Sequence, residues 1–565
     1  MFRDTFIYLG EATAMPPDYV KLFTCFFLAF PLAVPLPHLT AVQKHLFNFL
    51  VGSFFLWGIL DLPGGYLQLL VSTLTTYFVT KHNVGGKAWM PWLVFGLAMG
   101  HLTVNHLVRA FGNIPLTTIE ITAAQMVLTM NLTSFAWSVH DGKNRTAEQC
   151  DEQQKSMRIT EFPSILEFLG YAFYFPGLLI GPSTRFVDYR AWSTGAMYPE
   201  KTRTSPYSGM RLPPRGRVQA CAKQLTLGIL SLAAWSYLTP RFDYEMLVAP
   251  LKLGEEKPGI LSRVVLTQLA GFAARTKYYG IWNLTNAACI LSGLSFNGFV
   301  GGAKENQGQS KWNRCQNVNF MGIEFANNWK ELLDSWNINT NVWLRNNVYK
   351  RVSRPGKKPG FKSTMATFIT SAFWHGVAPG YYLAFVLGGL LQSSGRGLRS
   401  HLRPIFFKGS VARKSNPTSV RSLLDGSYTI AQLAYCTLSV VAVQLTMNYT
   451  AAPFILLEFG KSLQAWGQLW YYGIVLALGP MVAIRLGAGK WLDSVSGAGA
   501  EKKRQRNEKE QQQQQQKGAK EGNPQVPDVD KIEGEAKKTG EEVRDAAMEK
   551  VEDLRSGQAN GKKSQ

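Results

Sequence analysis

Trp374-His375-Gly376-Val377-Ala378-Pro379-Gly380-Tyr381 places one histidine inside the apolar segment from Thr364 to Gln392, among aromatic residues and helix-interrupting glycines and a proline. An ionisable side chain at membrane depth is costly and is a functional-site candidate by default. Imidazole exchanges its proton near neutrality, which suits it to proton transfer. The structural alternative is a packed histidine bonded to a backbone carbonyl.

Similar apolar runs recur outward from this segment, at 21–37, 46–61, 65–80, 89–108, 115–138, 163–181, 219–239, 260–274 continuing brokenly to 296, 428–447 and 466–486. A helix needs about 20 mostly apolar residues to cross the hydrocarbon core. Several runs reach that length, and others are short or interrupted. Together they predict an all-α, polytopic transmembrane bundle of roughly nine to eleven segments.

The chain carries 60 Lys or Arg against 38 Asp or Glu. Residues 501–565 hold 15 of those bases and 14 of the acids, with six glutamines at 511–516 and almost no aromatics. Such a composition buries too little apolar surface to offset the entropy of ordering, so 491–565 reads as a disordered, charged cytosolic tail. Nearly all of the +22 excess therefore belongs to residues 1–490, the membrane domain. In a membrane protein, basic loops indicate cytoplasmic topology and anionic lipid headgroups, not nucleic acid. The six cysteines show no CxxC pair and no Cys/His cluster, which argues against a zinc site or a disulfide framework. Lys562-Lys563-Ser564-Gln565 matches a dilysine retrieval signal read by coat proteins, which works only on a cytosolic tail of an endoplasmic reticulum protein.

Two basic loops flank the histidine segment. Tyr349 to Lys362 contains Lys350, Arg351, Arg354, Lys357, Lys358 and Lys362 without an acid, and 393–426 holds seven bases against Asp425. Both belong on the cytoplasmic side. A single crossing would separate them, and 29 residues are too few for two full helices at about 1.5 Å per residue. Either the segment is re-entrant or broken at Gly376 and Pro379-Gly380, or one loop violates the charge bias. Irregular backbone at that depth survives only inside protein or along a cavity.

The polar stretch before it carries ten asparagines between 313 and 347, including Trp336-Asn337-Ile338-Asn339-Thr340-Asn341-Val342-Trp343-Leu344-Arg345. Asn-rich loops are commonly turns and caps. Here, however, the combination with the Trp-His-Gly box resembles the membrane-bound O-acyltransferase superfamily, and within it the fungal lysophospholipid acyltransferase branch. Lys277-Tyr278-Tyr279 with Trp282, and Gly181-Pro182 with Phe186 and Tyr189, resemble upstream motifs of that branch. The likeness covers about residues 15–490.

That resemblance implies a bundle of about eleven helices around a catalytic chamber, with acyl-CoA entering from the cytosol. It places the family's catalytic histidine on His375 and its partner asparagine on Asn341. Trp336, Asn337, Thr340, Trp343, Trp374 and Tyr381 are the remaining motif residues expected to face substrate. Arg345, Lys350 and Arg351 are candidates for the CoA phosphates. No cofactor or metal is implied; acyl-CoA is a co-substrate and a lysophospholipid with a free glycerol hydroxyl is the acceptor. The competing readings are another acceptor, such as a neutral lipid or a protein, and a transporter in which His375 belongs to a relay.

Overall fold

Proline and small polar residues mark where the apolar runs become separate helices. The computed structural model describes residues 2–497, apart from 116, 251–257, 303–307, 354–359 and 408–427. The expected tail from residue 498 on, the dilysine, Arg354, Lys357, Lys358 and most of the loop 393–426 lie outside the described residues, whereas 491–496, also expected to be disordered, continue the helix Gly489–Ser496.

The order begins α1 (Arg3–Thr13), α2 (Pro17–Ala33), α3 (Ala41–Phe54), α4 (Pro63–Lys81), α5 (Gly86–Phe111) and α6 (Thr122–Lys143). It continues with α7 (Arg217–Leu238), α8 (Ile260–Ser292), α9 (Trp329–Ser335), α10 (Ile338–Leu344), α11 (Phe361–His375), α12 (Pro379–Phe406), α13 (Ile430–Leu456) and α14 (Tyr472–Ala483). Shorter helical turns join them, and among the described residues only isolated β-bridges occur. Pro17, Pro63 and Pro379 start α2, α4 and α12, where a missing N–H costs nothing. Capping boxes at Thr40 with Gln43, and at Thr429 with Gln432, start α3 and α13.

Among the described residues, three helices, Pro17–His38, Ile430–Leu456 and Tyr472–Ser496, are long and apolar enough to cross a membrane by length and composition alone. Other long helices carry polar side chains that lower their hydropathy, and these turn inward. His106 on α5, Gln125, Asn131 and Thr133 on α6, and Arg275, Asn283 and Asn286 on α8 are all buried. Polar groups inside such a bundle face protein partners, not lipid.

The histidine segment breaks where its glycines and proline predict. α11 ends at His375, Gly376 takes φ 143°, and the helix restarts at Pro379. The two legs then fold back on each other. The Phe368 and Phe385 rings lie 6.4 Å apart, and a Cβ on Gly389 would sit 2.9 Å from the Met365 sulfur. The 15 residues of α11 extend about 22 Å, short of a hydrocarbon core of about 30 Å. The segment is thus a broken, antiparallel hairpin, and its basic flanks leave from the same end. His375 stands at the opposite end, beside the bend.

A cluster of Met99, Leu102, Met130, Trp343, Leu344, Val348 and Trp374 joins α5, α6, α10 and α11. This apolar knot seats the Asn-rich helix against the histidine hairpin.

Candidate active site

His375 sits where backbone regularity ends. Its Nδ1 lies 2.7 Å from the Ser371 carbonyl oxygen. A carbonyl only accepts, so Nδ1 carries the proton and Nε2 keeps its lone pair. Trp374, Tyr381, Phe385 and Phe454 surround the ring, with centroids 4.7, 5.8, 4.8 and 5.2 Å away. The hairpin bend is pinned by Gly380, whose N–H donates to the Leu457 carbonyl at 2.7 Å. A Cβ there would lie 2.1 Å from the Pro453 carbonyl oxygen, so only glycine permits this approach to α13.

The motif tryptophans are anchors. Trp374 donates from Nε1 to the Met126 carbonyl at 3.0 Å, and Trp343 donates to the Thr133 hydroxyl at 2.9 Å. Their rings lie 5.9 Å apart, which carries α10 onto α11. Trp336 packs with Tyr278, Tyr279 and Trp282 at 5.5, 6.0 and 5.1 Å, uniting the Lys277-Tyr278-Tyr279 motif with the Asn-rich segment.

The asparagines divide their work. Asn341 donates its side-chain N–H groups to the Leu333 carbonyl at 2.9 Å and the Asp334 carboxylate at 3.1 Å, both at the end of α9. Asn337 adopts φ 44°, a left-handed conformation that is costly for a residue other than glycine. Its side-chain oxygen accepts from Thr340 Oγ1 at 2.9 Å. Thr340 also lies 3.3 Å from the Met130 sulfur. Asn346, in a π-helical turn over Arg345–Tyr349, is buried, and among the described residues neither of its amide atoms is bonded. Such turns recur at functional sites.

A profile of the membrane-bound O-acyltransferase family matches residues 107–441, a span that contains α6 to α12 and every candidate site residue. The chain belongs to that family. A lysophospholipid acyltransferase of Schizosaccharomyces pombe is 36% identical over 82% of this chain and 86% of its own length. The Saccharomyces cerevisiae lysophospholipid acyltransferase is 35% identical over 79% of this chain and 71% of its own length. The human membrane-bound glycerophospholipid O-acyltransferase 2 is 27% identical over 85% of this chain and 86% of its own length.

In this O-acyltransferase the cations near the motif are engaged by distant acids. Arg351 pairs with the buried Asp141 through both guanidinium nitrogens, and its plane lies 4.1 Å from the Trp137 ring. Lys350 bonds Asp151 at 2.8 Å. Arg345 approaches Asp334 at 3.8 Å, and its buried Nε has no partner among the described residues. Burial pushes the Asp141 carboxyl up, but hydrogen bonds from His140, Arg351 and Arg145 and the Arg351 charge outweigh it and hold the group well below the usual carboxylate range.

Residues outside the motifs also reach this region. His106, Asp141, Phe385 and Phe454 come from other helices or from the far leg of the hairpin, and none sits at a spacing that links it to His375 in the sequence. Only the cost of a buried histidine in the apolar run 89–108 signals His106, and Asp141, past the end of the run 115–138, carries no such signal.

Proposed function

We propose that this membrane enzyme transfers an acyl group from acyl-CoA to the free glycerol hydroxyl of a lysophospholipid. The 36% identity to the S. pombe enzyme over most of both chains carries the substrate class. His375, held through Nδ1 with Nε2 open, supports the chemistry.

In this reading the lysophospholipid oxygen attacks the thioester carbonyl while Nε2 takes the hydroxyl proton. The tetrahedral oxyanion is stabilised by an amide donor. Collapse breaks the carbon–sulfur bond and expels the CoA thiolate, which recovers the proton from the imidazolium. The products are phospholipid and free CoA, and no acyl-enzyme forms. Asn341 is the proposed partner, and Asn337 is a second amide for the same task. Trp336, Thr340, Trp343, Trp374 and Tyr381 shape the site, and Arg345 faces the donor phosphates, whereas Lys350 and Arg351 are held by Asp151 and Asp141. The proposed setting is a multi-pass bundle of about eleven helices in the endoplasmic reticulum membrane, with the C-terminus in the cytosol.

Microsomes supplied with labelled oleoyl-CoA and a panel of lysophospholipids test this directly. His375→Ala is expected to lower kcat about 10²–10⁴-fold, the range of a lost general base. Transfer to no lysolipid would defeat the substrate assignment, and an unimpaired H375A would defeat the residue assignment.

A further inference from the structure

α5 brings a second histidine to the bend of the hairpin. His106 is 8% exposed, and its Nε2 lies 3.2 Å from the carbonyl oxygen of Trp374, the residue immediately before His375. A Cβ placed on Gly376 would come 3.5 Å from His106 Nδ1, so the ring also borders the residue immediately after it.

Carbonyls in the last turn of a helix have no partner within the helix. Near the end of α11, three carbonyls have named partners. The Gly376 N–H donates to Ala372 at 3.1 Å, and His375 Nδ1–H donates to Ser371 at 2.7 Å. The Trp374 carbonyl is left to His106. Because a carbonyl only accepts, His106 carries its proton on Nε2. The Trp374 indole is held separately, through Nε1 to Met126 and against the Trp343 ring. Its side chain is thus fixed by α6 and α10, and its carbonyl by α5.

We propose that His106 is a positioning residue for acyl transfer: its Nε2–H holds the Trp374–His375 peptide and so aims His375 Nε2 at the acceptor hydroxyl. This rests on the reading of His375 as the general base. The peptide needs such a hold because Gly376, at φ 143°, ends the helix, and among the described residues no following backbone N–H reaches the Trp374 carbonyl. Rotation of that peptide swings the imidazole. A misplacement of about 1 Å at a reacting centre costs on the order of 10²-fold in rate.

The test compares His106→Leu, which keeps bulk and removes the donor, with His106→Gln, which keeps a side-chain N–H, in the full-length protein in lipid nanodiscs. For H106L the expected kcat is about 10–100-fold below the parent, with KM for acyl-CoA and for lysophospholipid within about threefold. H106Q is expected to recover most of kcat. A kcat for H106L within threefold of the parent overturns the proposal, as does a loss confined to KM or an H106Q as impaired as H106L. If H106L does not fold, ¹⁵N-histidine spectra of the unsubstituted protein decide the matter. An Nε2–H tautomer at His106 supports the hold, and an Nδ1–H tautomer overturns it. An inactive parent protein would instead defeat the acyltransfer reading, leaving the tautomer measurement to judge the hydrogen bond.

Discussion

Asn337 and Asn341 stand one helical turn apart yet face different demands. Asn341 spends its donors on the end of α9, whereas Asn337 uses its oxygen on Thr340 and, among the described residues, gives its NH2 to no acceptor. Oxyanion stabilisation needs a donor. Loss of one such donor costs about 10²–10³-fold in kcat. Asn337→Ala and Asn341→Ala are therefore expected to differ. If Asn341 acts as the partner, its alanine variant falls by that factor with normal folding. If it instead braces α9 against α10, the variant loses thermal stability by about 1–3 kcal/mol and kcat per folded molecule stays near the parent. Steady-state kinetics beside a melting curve separates the two, and a large kcat loss confined to N337A assigns the oxyanion to Asn337.

Among the elements, α6 and the turn after α10 are locked by charge. Asp141 and Arg351 have side chains only 3% and 8% exposed. Breaking a buried pair by removing one charge costs about 3–5 kcal/mol, because the survivor stays desolvated. Asp141→Asn is expected to destabilise by that order. Since the folded carboxyl is held low, its contribution is complete above the unfolded value of about 3.9 and is lost as pH falls through the folded value. The parent protein should thus lose stability on acidification below about pH 4 more steeply than D141N. Melting temperatures in detergent across pH 7 to 3 check this, and parallel curves would show that Asp141 does not carry the dependence.

This pair also shows where the sequence was opaque. The stretch from Tyr349 to Lys362 contains no acid, so its cations look available for phosphates. Their partners Asp141 and Asp151 lie about 200 residues earlier and arrive only when α6 packs on the Asn-rich segment. The hairpin, by contrast, was legible. Gly376 and Pro379 sit where a helix must end and restart, and two basic flanks around 29 apolar residues favour a return to the same side.

At the scale of the whole molecule, that return is a topological statement. Val352, 44% exposed, precedes α11, and the exposed Ser400 lies near the end of α12. Ser353 bonds Ser363 at 3.1 Å, which places the first flank at the open end of the hairpin. All six native cysteines are buried and unpaired, so an added cysteine is a clean reporter. Val352→Cys and Ser400→Cys are expected to react with an impermeant maleimide from the same face of sealed microsomes. Labelling from opposite faces would reject the hairpin as a re-entrant element.

The sequence by itself determined a helical membrane protein with one histidine at a broken segment, because hydrophobic periodicity, helix breakers and charge bias are local properties. It also carried the family likeness, since the Asn-rich and Trp-His-Gly boxes are contiguous strings. Only the tertiary structure decided how those strings are held. His106 reaches the Trp374 carbonyl from α5, Trp336 finds Tyr278 and Trp282, and Asp141 finds Arg351. These pairings depend on how helices far apart in the chain pack together, and no spacing along a one-dimensional pattern encodes a distance across a bundle.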